Sequence, residues 1–191
     1  MQGVNDAPIT SIAFINEEMI SILDFERLIF EISGVDVFEQ NASKIIHSLD
    51  RVDQKILFAE DSHLMRKLII GNLERAGYSN ITICNDGEEA RDALNLDITN
   101  NGRLTFDLMI TDIEMPRIDG LHLTKRIKEN SQMTKMPVII FSSLVSMDNE
   151  KKCKAVGADA QITKPQLDEL VILIDELIAK SRSSAPQPVP A

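Results

Sequence analysis

The sequence predicts an α/β protein: a five-stranded parallel sheet with helices on both faces, preceded by a partial β segment. Three observations point there. From about residue 52, short apolar runs alternate with amphipathic stretches, the pattern of strands joined by helical crossovers. The junctions carry explicit punctuation by Gly and Asp. Polar or charged groups (Glu60-Asp61, Asp112, Ser142-Ser143 and Lys164) stand at or just past the ends of four apolar runs, where such a sheet collects its functional residues.

Taken in order, the first parallel strand is expected at 55–59, and a helix at 64–76 ends before Gly77. The second strand, 81–84, leads to Asp86-Gly87, which opens a helix over 88–94. Residues 95–106 contain Asn100-Asn101-Gly102 and read as an extended surface loop. The third strand, 108–111, precedes a helix at 121–129 opened by Asp119-Gly120. A fourth strand at 138–141 and a helix at 148–156 closed by Gly157 follow, then a strand at 160–162 and a last helix at 167–180. The tail 181–191, with Pro186, Pro188 and Pro190, is expected to be extended or disordered. Ahead of all this, 9–15 and 19–25 read as two strands joined through Asn16-Glu17-Glu18, followed by a short helix at 42–49. Two strands cannot make an independent core. The expected organisation is therefore 1–50, 51–180 and 181–191.

The formal charge of −10 is uneven, because residues 1–50 hold nine of the 30 acids and two of the 20 bases. No basic stripe appears, which argues against nucleic acid as a partner. Cys84 and Cys153 lack metal-ligand spacing and read as buried reduced thiols. No apolar run is long enough to span a bilayer and the N-terminus lacks a targeting pattern, so the expected location is the cytoplasm, without membrane insertion.

The chemistry begins with three carboxylates. Glu60 and Asp61 end one apolar run and Asp112 ends another, so two strands deliver them to one sheet edge. Like charges held that close need a cation or a proton among them. A hard divalent cation suits an all-oxygen site, and one carboxylate could then act as a nucleophile.

Four motifs in order carry a resemblance. They are Phe58-Ala59-Glu60-Asp61-Ser62, the stretch from Thr111-Asp112 through Met115-Pro116 to Asp119-Gly120, the segment 137–143, and Thr163-Lys164-Pro165. Residues 54–180 resemble a two-component receiver domain, which implies a flavodoxin-like fold. The resemblance implies that Asp112 is the phosphoacceptor for a histidine kinase. It implies that Glu60, Asp61, Asp112 and the Glu114 backbone carbonyl hold Mg²⁺, and that Lys164 and Ser142 contact the phosphoryl group. The lysine–proline peptide is cis in this family, here Lys164-Pro165.

The sequence departs from the usual receiver pattern at three places. Glu60 replaces the commoner aspartate, Gln161 stands where many receivers carry an aromatic switch residue, and Leu144 cannot orient a water by hydrogen bonding. The last departure predicts slow hydrolysis, tested by comparing the phosphoryl lifetime in Leu144→Glu with the parent.

The N-terminal segment resembles the closing part of a CheW-like coupling domain in Pro8-Ile9-Thr10-Ser11-Ile12-Ala13 and the stretch 20–26. A CheW-like module joined to a receiver is the architecture of the CheV-type chemotaxis coupling proteins. The implied partners are a chemotaxis histidine kinase and chemoreceptors or coupling proteins. Unpaired N-terminal strands suggest pairing with a second chain, a homodimer, or with a partner. No output domain is expected after residue 180 within this sequence, so the expectation is a signalling module rather than a turnover enzyme. A phosphate sink and an Asp-nucleophile phosphohydrolase are the alternatives, although the hydrolase would prefer an aspartate where Glu114 stands.

Overall fold

The computed structural model describes residues 9–15, 18–23, 51–143 and 147–183. The chain divides into two compact units, Met1–Ile45 and Ile46–Ala191. In the first unit, β1 (Ile9–Ile15) and β2 (Glu18–Leu23) form an antiparallel pair, with Ile15 opposite Glu18 and Ile12 opposite Ser21. The expected helix at 42–49 and the position of Leu144 lie outside the described residues.

The second unit alternates strand and helix: β3 (Lys55–Ala59), α1 (His63–Arg75), β4 (Asn80–Cys84), α2 (Gly87–Asn101), β5 (Leu108–Thr111), α3 (Gly120–Glu129), β6 (Val138–Ser142), α4 (Met147–Ala155), β7 (Ala160–Thr163) and α5 (Leu167–Ser183). The strands are all parallel, in the order β4-β3-β5-β6-β7. Every residue of β5 and β6 is buried, so these strands read as continuous apolar runs, as a sheet covered on both faces requires. Side chains alternate across the sheet. Leu57, Ala59 and Met109 join Ala90 and Leu94 of α2 and Leu123 and Ile127 of α3 in one core. Ile56, Phe58, Leu108 and Ile110 point to the opposite face and are fully buried. Strand order reverses between β3 and β5, so the carboxyl ends of those two strands border the crevice where this architecture places its site.

Two expectations are corrected. The stretch 95–106 is not an extended loop, because α2 continues to Asn101 and ends at Gly102 with φ 70°. Ile98 packs against the core one turn beyond Leu94, and this apolar contact outweighs the turn-forming asparagines. Asn101 Nδ2 donates to Asp97 O at 3.0 Å, so the asparagine supports the helix; Gly102 is its left-handed cap. The tail also begins later than expected. α5 runs through Ser183, where the Ser183 hydroxyl donates to Ala179 O at 2.8 Å and Arg182 reaches Gln54 Oε1 at 2.8 Å. The first proline able to end the helix is Pro186.

A clamp lies just ahead of β3. Arg51 donates to both carboxylate oxygens of Asp175 on α5 at 3.1 and 2.5 Å, and to Ala76 O at the end of α1 at 2.6 Å. The Tyr78 hydroxyl donates to Asp175 at 2.5 Å, and the Arg51 guanidinium lies 5.5 Å from the Tyr78 ring centre.

Cys84 and Cys153 are free and buried. Burial, with a smaller push from Glu89, moves the Cys84 thiol from an ordinary 9.0 up to about 12, and burial raises Cys153 as well. Both thiols should therefore resist a disulfide reagent in the native protein and react on unfolding. The sign for stability follows from proton uptake. A raised acid pKa keeps the proton on the native state, so the Cys84 contribution is complete below pH 9 and is lost between there and about 12. Tyr78, raised chiefly by burial and then by its bond to Asp175, adds to the same alkaline loss. Urea melts on either side of pH 9 should show stability falling as pH rises. Among the described residues, no helix is long and apolar enough to cross a membrane.

Candidate functional site

The carboxylates are planted where the sheet stops. The Glu60 N–H, one residue past β3, donates to Cys84 O of β4 at 3.1 Å. The Asp112 N–H, one residue past β5, donates to Ala59 O of β3 at 3.0 Å. The last rungs of the ladder thus fix both backbones side by side at the switch point. Glu60 is 1% exposed and Asp112 8%. Asp61 is exposed and completes a group in which one carboxylate oxygen from each of Glu60, Asp61 and Asp112 lies within 4.8 Å of the others. The set is anionic and all-oxygen, and its Asp61 side is open to solvent, which suits a hard divalent cation.

Lys164 supplies part of the positive charge that the sequence demands. It follows β7, its N–H donates to Ser142 O at 3.2 Å, and the Lys164-Pro165 peptide is cis. The ammonium, on a side chain 6% exposed, donates to Glu60 Oε2 at 2.6 Å and stands 2.9 Å from Asp112 Oδ2. It also lies 6.0 Å from the centre of the Phe141 ring. Burial pushes the Glu60 carboxyl above its ordinary value; Lys164 offsets part of that and Asp112 adds to it. Two carboxylic acids share one amine, so the cluster holds one more acid than base.

Helix α1 begins at this edge, with Ser62 as its cap. Arg66 from its first turn donates to the carbonyls of Glu60 and Asp61 at 2.6 and 2.8 Å, bracing the turn that presents both acids. The Ser62 N–H donates to Glu60 Oε1 at 3.2 Å. Across the crevice, the Ile113 N–H donates to Asp112 Oδ1 at 2.7 Å, and Asp112 O accepts from the Thr111 hydroxyl at 2.9 Å. The loop then closes on itself, with the Gly120 N–H donating to Ile113 O at 3.0 Å.

Ser142 is buried at the end of β6, the strand beside β5, and faces Thr163 in register. Glu114 lies two residues past Asp112 with its side chain exposed. Gln161 is half-buried in β7, and its side-chain oxygen is buried without a hydrogen-bond partner. His63 opens α1 and His122 pairs with Asp119 at 2.6 Å, so neither joins the carboxylates.

Sequence reasoning missed Arg66, Asp86 and Arg117. The Arg66 spacing, one helical turn past a capping serine, was a usable signal. Asp86 reads from the sequence as a helix opener alone. Arg117 carries no local signal, because its guanidinium pairs with the carboxylate of Asp86, about thirty positions earlier.

A family model for the response regulator receiver domain matches residues 56–175. The gliding motility regulatory protein of Myxococcus xanthus is 34% identical over 125 residues, covering 64% of this chain and 15% of that protein. The chemotaxis protein CheV3 of Helicobacter pylori is 28% identical over 169 residues, covering 87% of this chain and 53% of that protein. This chain therefore spans about half the length of the second relative and far less of the first. Among solved structures, the receiver domain of the histidine kinase CKI1 from Arabidopsis thaliana, complexed with Mg²⁺ and BeF₃⁻, has a TM-score of 0.61 and 26% identity. That match covers 68% of this chain and 95% of the other.

Proposed function

The chain belongs to the response regulator receiver domain family, and from that membership we propose that Asp112 accepts a phosphoryl group from a histidine kinase in a chemotaxis coupling system. The observation that carries the reading is the buried Asp112 carboxylate at the switch point, beside Lys164 and two further carboxylates. An Asp112 oxygen attacks phosphorus as the donor's N–P bond breaks and the histidine nitrogen recovers the electron pair. Lys164 would offset charge on the transferred oxygens, and Ser142 would donate its hydroxyl to the phosphorylated product. Glu60, Asp61, Asp112 and the Glu114 carbonyl would hold Mg²⁺, which when bound supplies positive charge to the phosphoryl oxygens.

The coupling part of the proposal rests on the alignment with the chemotaxis relative. Its share of this chain exceeds what Ile46–Ala191 can supply, so it reaches into the N-terminal unit. In this reading residues 1–50 are the C-terminal part of a CheW-like domain, and the partners are the kinase and chemoreceptors or coupling proteins. Among the described residues β1 and β2 pair only with each other, and their outer edges would be the place for such a partner or a second copy. The product is a reversible charge switch rather than a turned-over substrate.

Incubation with acetyl phosphate tests the site. One phosphoryl group per chain should appear by mass spectrometry when Mg²⁺ is present, and none when a chelator removes it. Catalytic turnover of a generic phosphate ester without a stable adduct would replace this reading with a hydrolase.

A further inference from the structure

The loop after Asp112 turns sharply at Pro116, Arg117 and Ile118. The Ile118 N–H donates to Pro116 O at 2.8 Å across a single residue, and Arg117 between them has φ 65°. This is a γ-turn of the strained hand, and Arg117 is the sole non-glycine residue at positive φ among the described residues. The backbone alone favours glycine here. What arginine adds lies at its far end, where the guanidinium pairs with the Asp86 carboxylate and stands 3.6 Å from both Glu88 and Glu89.

Asp86 is 1% exposed and caps α2, accepting from the Glu88 and Glu89 N–H groups at 2.8 and 3.0 Å. A charge that buried needs a partner, and Arg117 is one. At the next residue, a Cβ on Gly87 would overlap the Ile118 carbonyl oxygen. The loop is therefore tied to the start of α2 at two adjacent points. Asp112 Oδ1 accepts from the Ile113 N–H while Oδ2 faces Lys164, so the loop holds one of the two carboxylate oxygens.

We propose that Arg117 is a positioning residue. Its ion pair with Asp86 holds residues 113–119, and with them the Asp112 carboxylate and the Glu114 carbonyl, against Glu60 and Asp61. The proposal rests on the phosphoacceptor reading of Asp112. Three variants separate the guanidinium from the turn and the cap. Arg117→Gly suits the turn but removes the charge, Arg117→Gln removes the charge alone, and Asp86→Asn keeps a capping oxygen but loses the pair.

At limiting Mg²⁺, each single variant should label from acetyl phosphate about tenfold more slowly than the parent, with the gap narrowing at saturating Mg²⁺. The Asp86→Asn/Arg117→Gln double variant should be no slower than the slower single. Without Mg²⁺, amide hydrogen exchange should quicken at 113–120 and stay unchanged in β3 and β5. Parental labelling and exchange in Arg117→Gly, or multiplicative losses in the double variant, would overturn the proposal. If the parent takes up no label, the reading of Asp112 fails and exchange alone decides: faster exchange at 113–120 upholds the latch, and unchanged exchange overturns it.

Discussion

Asp112→Asn should take up no phosphoryl group under conditions that label the parent fully, while folding at least as well. The loss is chemical, because an amide oxygen is a poor nucleophile toward phosphorus and its acyl phosphate equivalent cannot form. The stability follows from the charge count at the site. In the parent, Glu60 and Asp112 share the Lys164 ammonium; in the variant, Glu60 and Lys164 are left as a neutral pair. The asparagine oxygen can still accept from the Ile113 N–H. Removing the excess charge should stabilise the metal-free protein by on the order of 1 kcal/mol. The pH dependence has a definite sign. Glu60 holds its proton above the ordinary 4.5 in the native state, so its penalty shrinks as pH falls and returns as pH rises above that value. Asp112→Asn removes one cause of the shift, so its gain over the parent should be largest near neutral pH. Urea melts across that range, beside mass spectrometry after acetyl phosphate treatment, check both halves.

Gly120→Ala should have the largest effect on folding, about 3 kcal/mol or more of lost stability. Gly120 is the first residue of α3, and a Cβ there would overlap the Asp112 carbonyl oxygen and crowd the Thr111 hydroxyl. Neither can retreat. The Asp112 carbonyl accepts from Thr111, the Asp112 N–H is bonded to β3, and the Gly120 N–H is bonded to Ile113 O. Relief must come from moving the phosphoacceptor or unwinding the start of α3, so the remaining folded protein should also label slowly. Gly71→Ala provides the contrast. A Cβ there meets nothing within 4 Å, and the site is inside α1, so alanine should stabilise by about 0.5–1 kcal/mol. Urea denaturation of the two variants should shift the midpoint in opposite directions.

The features legible in the sequence were those with short-range causes. Continuous apolar runs marked β3, β5 and β6, and Asp86-Gly87 and Asp119-Gly120 marked the starts of α2 and α3. The gathering of Glu60, Asp61 and Asp112 followed from strand ends and the rule of the switch point. The end of α2 is not legible in the sequence, because Asn100-Asn101-Gly102 describes a cap as readily as a loop, and only the packing of the partly buried Ile98 against the core distinguishes them. The need for a cation or a proton among the carboxylates is legible from charge alone. That Lys164 lies within 3 Å of both Glu60 and Asp112 depends on the placement of β7, a long-range fact. Arg117 was invisible for the same reason, since its partner Asp86 belongs to another crossover.

The Arg51 clamp has a mechanical consequence. Tension applied along the chain from its N-terminal side meets the guanidinium before it meets β3. It is borne by two bonds to Asp175 and one to the end of α1. Part of the load therefore passes into two helices instead of the strand whose far end holds Glu60 and Asp61. The N-terminal approach to β3 is thus anchored on α5 and on the end of α1 as well as in the sheet.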